Sequence, residues 1–116
     1  MNMNFIKRIT KWNEERGNNS GEIDVSLEHD MLLEEVTEFY GSEKDVDKLD
    51  ALADTIFVAI GSMYKLGLTP QQIDKAINIV CDANEKKLSD KKDNGKISKP
   101  VGFVGPEAQL QRILDA

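Results

Sequence analysis

The chain has 116 residues, 40% of them apolar and 31% charged, and a formal net charge of −6. That length suits one domain with a modest core, and that composition a soluble globular protein. The negative balance argues against nonspecific binding to nucleic acid or to an anionic membrane surface. No apolar run approaches the length of a membrane span, and the first residues lack the apolar core of a signal peptide. The single Cys81 excludes an intrachain disulfide and is compatible with a reducing cytoplasm.

Hydrophobic periodicity predicts an all-α fold. A four-helix bundle-like core spans about 4–16, 27–40, 45–66 and 70–88, followed by a basic loop and a short last helix at about 107–114. No internal repeat and no strand pattern is visible. In the first helix, Phe5, Ile6, Ile9 and Trp12 recur at spacings of 3 and 4 on one face, and Gly17-Asn18-Asn19-Ser20-Gly21 ends it. Trp12 reads as a core or interface ring, or as a ring at a pocket mouth on which a base stacks. Asn13 beside it has an amide able to read a base edge.

Ser26 is a candidate N-cap for the second helix, or Asp24 if that helix starts earlier. The lone His29 has no second His or Cys nearby, so it is no zinc signal and reads as structural or exposed. Gly41-Ser42 ends the helix, Asp45 or Ser42 caps the third, and Gly67 looks like its stop. The fourth start is the clearest. Thr69-Pro70-Gln71-Gln72 offers a capping hydroxyl, proline at the first helical position, and glutamine three residues after the cap. That helix is expected to bury Ile73, Ala76, Ile77, Val80 and Cys81. Beyond it, Asp93-Asn94-Gly95-Lys96 reads as a turn, Phe103 as an anchor for a Gly- and Pro-rich stretch, and Leu110, Ile113 and Leu114 as the docking face of the last helix.

Two groups of acids break this pattern. Within Glu34-Glu35-Val36-Thr37-Glu38, Glu35 falls between Met31 and Phe39 and Glu38 between Leu27 and Met31, where apolar residues are expected. Glu34 stands at the edge of the arc. Asp50 and Asp54, one turn apart, share a stripe with Phe57 and Gly61 at the head of an apolar helix. Acids so placed need protons or cations to compensate them, and oxygen-rich sites suit Mg²⁺ or Mn²⁺. Ordinary solvated helix faces are also rich in glutamate, so the pattern alone leaves both readings open.

Charge is unevenly spread. Residues 1–85 carry 8 Lys and Arg against 17 Asp and Glu, whereas residues 86–100 carry six lysines against Asp90 and Asp93. An acidic body with a basic loop suits a metal-bound polyanion, and simple solvation explains such a loop equally well. The third helix, through Ile56, Val58, Ala59, Ile60 and Met63, is more apolar than a small monomer needs. A second copy of the chain, in a homodimer or homotetramer, is the simplest cover.

The ordered set Glu34-Glu35-x-x-Glu38, Asp50-x-x-x-Asp54 and Asn84-x-x-Lys87 resembles the all-α nucleoside triphosphate pyrophosphohydrolases of the MazG-like type. Phosphoribosyl-ATP pyrophosphohydrolases and dimeric dUTPases are their relatives. The tail Asn94-Gly95-Lys96-Ile97-Ser98-Lys99-Pro100 with Phe103 and Pro106 is similar to short stand-alone phage and bacterial members, which would place the chain in a cellular or host cytoplasm. The similarity covers roughly residues 25–106. It implies hydrolysis of a nucleoside triphosphate to monophosphate and pyrophosphate, with Mg²⁺, or Mn²⁺, held by Glu34, Glu35, Glu38, Asp50 and Asp54. Glu35 and Glu38 are the implied catalytic carboxylates, and Asn84 and Lys87 match residues that reach the metal-bound phosphates. Outside what the resemblance matches, Lys91, Lys92, Lys96 and Lys99 of the basic loop are candidates to clamp the phosphates with Lys87, and Trp12 is the candidate ring for the base. The chain departs from the family pattern at Ala51, three residues before Asp54, where a glutamate is usual. Asp50 is the nearest acid. No Gly-rich phosphate loop is present, which argues against a kinase or motor ATPase. Two further readings stay open: a non-catalytic helical adaptor or regulator whose acid face binds a partner, and an enzyme specific for phosphoribosyl-ATP or dUTP.

Overall fold

In a computed structural model, which describes residues 4–88 and 90–116, the chain is all-helical. Its helices are α1 (Asn4–Glu15), α2 (Val25–Gly41), α3 (Asp45–Lys65), α4 (Pro70–Glu85) and α5 (Glu107–Asp115). Two compact units form, Met1–Ile73 and Asp74–Ala116. Among the described residues no single helix is long and apolar enough to cross a membrane.

The first unit is a helical-bundle core built on α3, with α2 packed on one side and α1 on another. Ile6 and Ile9 of α1 are buried as their spacing predicts, together with Ala51 and Ile60 of α3, Leu68 and Ile73. Phe5 and Trp12 stay partly exposed, and the α1 face turns instead toward Thr10 and Asn13, both buried. Asn13 is a structural residue. Its Nδ2 donates to the Ile9 carbonyl at 2.9 Å and its Oδ1 accepts from Asn18 Nδ2 at 2.9 Å, so the amide is not offered to a base. A Cβ at Gly61 would stand 3.1 Å from Asn13 Nδ2, so glycine there lets α1 approach α3 closely.

Asp24, not Ser26, caps α2, accepting from the Leu27 N–H at 3.2 Å. α3 begins after Lys44 with no side-chain cap, and Asp45 and Asp47 lie in its first turn, where the helix dipole favours them. The Lys48 ammonium donates to the Ser42 carbonyl, tying the short α2–α3 link to α3. Gly67, at φ +105°, ends the α3 region as expected, its N–H bonded to the Tyr64 carbonyl. At α4 the capping box is closed in both directions: Gln72 N–H to Thr69 Oγ1 at 3.2 Å, and Thr69 N–H to Gln72 Oε1 at 2.9 Å. Thr69→Ala is expected to cost about 1 kcal/mol, visible as a lower urea midpoint with an unchanged slope.

In the second unit, α4 buries Ile79 and Ala83, while Val80 and Cys81, expected inside, are exposed. The helix also stops three residues short of the expected end. Lys86 and Lys87 donate three residues back, to Ala83 and Asn84, which tightens the last turn, and Leu88 N–H then turns to the Ser98 carbonyl. The basic segment is a small hairpin. Lys91 bridges Ile97 in antiparallel fashion, and the chain reverses at Asn94-Gly95, with Gly95 at φ +85°. Phe103 is half-buried under the Lys99 ammonium, 5.5 Å from the ring centre. In α5, Ile113 is buried and Leu114 exposed.

Candidate functional site

α2 and α3, joined by a three-residue link, run antiparallel, because Glu28 near the start of α2 meets Ser62 and Lys65 near the end of α3. Residues Glu28, Met31, Glu35 and Glu38 recur at spacings of 3 and 4 along α2, so they share the face turned to α3. This brings Glu35 and Glu38 beside Asp54.

Glu35 is the centre of the group. It is half-buried, and its Oε2 is occluded with no hydrogen-bond partner. Its carboxyl is held above the ordinary value, first by burial and then by the charges of Glu38 and Asp54. A hydrogen bond to Glu38, which only the protonated carboxyl can donate, and the charge of Glu34 push the same way. Four of the five acids singled out in the sequence therefore converge.

Asp50 goes elsewhere. It is exposed and lines an open groove of about 410 Å³ with Glu38, Gly41, Ser42 and Asp47. The antiparallel register explains the split, since Asp50 stands opposite the last turn of α2, beyond Glu35. Glu38 borders both places. Ala51, where the resemblance expects a glutamate, is 1% exposed, a methyl group closed into the core.

All the ligand atoms gathered here are carboxylate oxygens, the donor type that hard divalent cations take, and the orphaned Oε2 of Glu35 is an acceptor without a donor. That chemistry fits Mg²⁺ or Mn²⁺. Among the described residues, no three His, Cys, Asp or Glu side chains are closed tightly enough around one point to be a formed metal cage. The acids are within electrostatic reach of one another rather than within coordination distance of a common centre.

Glu35 also has a measurable cost. Its protonated form is favoured more in the folded chain than in the unfolded one, so it stabilises the fold at low pH, and this is lost as pH rises through the raised value. Glu35→Gln is therefore expected to raise the thermal midpoint of the metal-free protein at neutral pH and to flatten its decline from acid to neutral. A midpoint that falls equally at all pH values would contradict this.

A second cleft, of about 440 Å³, is lined by Phe5, Arg8, Ile9, Lys11, Trp12, Glu15 and Arg16 of α1 and its end and by Phe57 of α3. Phe57 is three residues after Asp54 on α3 and meets Trp12 edge-to-face at 5.1 Å between ring centres. Arg16 covers the Trp12 ring at 4.5 Å and also donates to the Trp12 carbonyl. His29 is exposed beside Asp30.

The remaining candidate substrate contacts are in the second unit. Asn84 is exposed on α4 and donates through Nδ2 to the Val80 carbonyl at 2.8 Å. Lys87 is half-buried just beyond the helix rather than on it, and Lys91 and Lys96 are exposed on the hairpin.

Sequence reading missed one feature of the first unit. Glu28 and Lys65 form a buried ion pair, 3.0 Å at the shorter contact, joined by the Ser62 hydroxyl. Each looks unremarkable in the sequence, a glutamate in a helix's first turn and a lysine in another's last.

A family profile described as phosphoribosyl-ATP pyrophosphohydrolase matches residues 4–80. No match to an individual curated protein was found. The matched span contains every acid of the site and the Trp12 cleft, and it ends before Asn84 and the basic hairpin. An all-α chain with its acids gathered between α2 and α3, matched over two-thirds of its length, belongs to the phosphoribosyl-ATP pyrophosphohydrolase family of nucleotide pyrophosphohydrolases.

Proposed function

We propose that the protein hydrolyses nucleoside triphosphates between the α and β phosphates, giving a nucleoside monophosphate and pyrophosphate in a reaction that depends on Mg²⁺ or Mn²⁺. The observation that carries this reading is the convergence of Glu34, Glu38 and Asp54 on the half-buried Glu35, whose Oε2 has no protein donor. Glu35, Glu38 and Asp54, with Glu34 beside them, would hold the ion, and Asp50 would reach it only through water or not at all. Bound there, a divalent cation would neutralise triphosphate oxygens and lower the pKa of a water molecule.

The chain's own residues do the rest. Glu35 or Glu38 orients the attacking water and accepts its proton as the water oxygen closes on the α-phosphorus. The departing pyrophosphate carries the developing charge, so fixed cations matter more than covalent chemistry. Lys87, Lys91 and Lys96, with Lys92 and Lys99, supply candidate cations for the β and γ phosphates, and Asn84 a polar contact. Trp12 would supply an aromatic wall for the base, in a cleft lined by Phe57, which follows Asp54 by three residues on α3.

The working protein is proposed to be a dimer or a pair of dimers. Leu33, Val36 and Tyr40 on α2 and Leu49, Leu52 and Ile56 on α3 form exposed apolar stripes, Tyr40 being 90% exposed. Sedimentation equilibrium is expected to give at least twice the 13.0 kDa chain mass, and a monomer at micromolar concentration would refute it.

A product assay tests the function. Purified protein is given canonical and modified nucleoside triphosphates and phosphoribosyl-ATP, with Mg²⁺ or Mn²⁺, and pyrophosphate is separated from orthophosphate. Pyrophosphate with monophosphate, abolished by EDTA, is the expected result. Turnover of phosphoribosyl-ATP or dUTP alone would narrow the substrate. Orthophosphate alone would overturn the cleavage site, and no turnover would favour a binding protein that has lost the glutamate at Ala51.

A further inference from the structure

We infer that Glu28 and Lys65 are positioning residues for the acid site, a register pin that fixes how far α2 is slid along α3. The inference rests on the reading of the acids as the reaction centre. Among the described residues these are the only buried charged residues, at 4% and 8% exposure for the whole residue. Lys65 Nζ reaches both Glu28 carboxylate oxygens, at 3.0 and 3.2 Å, and Ser62 Oγ lies 2.9 Å from Oε1. The Ser62 hydroxyl also lies 3.0 Å from the Val58 carbonyl, and with one hydrogen to give it favours the charged acceptor.

Spacing makes the pin relevant to the site. Glu38 is ten residues beyond Glu28 on α2, roughly 15 Å, and Asp54 is eleven before Lys65 on α3, roughly 16.5 Å. Counted from the ion pair along antiparallel helices, Glu38 and Asp54 arrive at nearly the same level. A slip of one residue at the pin moves α2 by about 1.5 Å against α3 and shifts Glu35 and Glu38 past Asp54 by the same amount along the helix axis. At the acid end the short α2–α3 link and the Lys48–Ser42 contact tether the helix ends, but the acids themselves repel and supply no attraction that sets their level. Apolar contacts between the helices are non-directional and fix register poorly. Away from the link, the directional attraction between the two helices is the ion pair itself, beside a small cleft of about 140 Å³ that Asn18, Asn19, Glu28 and Lys65 line, and Tyr64 there donates to the Asn18 carbonyl at 3.1 Å.

The test separates positioning from stability. A double variant, Glu28→Leu with Lys65→Met, replaces the pair with apolar groups, an exchange that commonly keeps or raises stability. It is expected to fold with a thermal midpoint near that of the wild type. Its Mn²⁺ affinity, followed by electron paramagnetic resonance without nucleotide, is expected to weaken about tenfold or more. Its kcat is expected to fall by about 10²-fold, the size of a 1 Å misplacement, while KM for the nucleotide changes little. Lys65→Arg, which keeps the pair, is expected to retain both. A folded double variant with wild-type Mn²⁺ affinity and kcat would overturn the inference. Should it fail to fold, Ser62→Ala removes one of the three contacts and must still weaken Mn²⁺ binding measurably, and unchanged affinity there overturns it equally. Wild-type turnover and Mn²⁺ binding, measured first, decide the underlying reading independently of the variants.

Discussion

Asp54→Asn is expected to lower kcat by about 10²–10³, the scale of losing one preorganised electrostatic contact at a reacting centre, while leaving the fold intact. Asparagine keeps the shape of the side chain but cannot offer a charged ligand. It also removes one of the charges that raise the carboxyl of Glu35, so the metal-free variant is expected to be as stable as the wild type or slightly more so. The combination of unimpaired stability and lost turnover marks a residue retained for chemistry. Added Mg²⁺ should recover little of the rate, because the missing group is a ligand and not merely a source of affinity. Asp50→Asn is the internal comparison. Asp50 faces the groove beside Glu38 and Asp47 rather than Glu35, so its loss should cost much less. Steady-state kinetics with both variants, beside their melting curves, checks this. Near-normal turnover by folded Asp54→Asn would remove Asp54 from the site, and equal losses at Asp50 and Asp54 would mean that the register separates them less than the geometry indicates.

That separation illustrates what the sequence could and could not convey. Glu35 and Glu38 were legible because they interrupt a helical apolar stripe, a local signal. Asp50 and Asp54 look equivalent on a helical wheel, since one turn separates them. What divides them is that α2 ends at Gly41, so the upper of the two acids faces its last turn and the lower faces Glu35. Periodicity contains no such information. The end of α4 is similar. Its apolar pattern runs on toward Leu88, yet the helix stops at Glu85, because the Leu88 N–H pairs with Ser98 ten residues away. The Thr69 box, by contrast, closes within four residues and was fully readable. Glu28 and Lys65 lie at the other extreme. Each obeys a local rule, an acid near a helix start and a base near a helix end. Only the antiparallel pairing of α2 with α3 turns two ordinary surface charges into a buried pair.

Lys65→Met is accordingly the substitution expected to cost most stability in the first unit, about 3–5 kcal/mol, the usual penalty for breaking a buried pair by removing one partner. The Lys65 and Glu28 side chains are only 10% and 6% exposed, so solvent cannot take over the role of the missing ammonium. Glu28 would keep one donor, the Ser62 hydroxyl, against a full charge. For a chain of this length a loss of that size lowers the thermal midpoint by roughly 12–20 °C. The cause is an orphaned charge and not a lost contact, which gives the prediction its sharper form. Adding Glu28→Leu to Lys65→Met should return most of the stability, so the two substitutions should be strongly non-additive, with a coupling in a double-mutant cycle at least comparable to the single loss of about 3–5 kcal/mol. Additive losses would mean that the helix ends open enough to admit water and that the pair is an ordinary surface contact. In that case α2 and α3 would be held in register by packing alone, and the acids between them would owe their placement to the surrounding core.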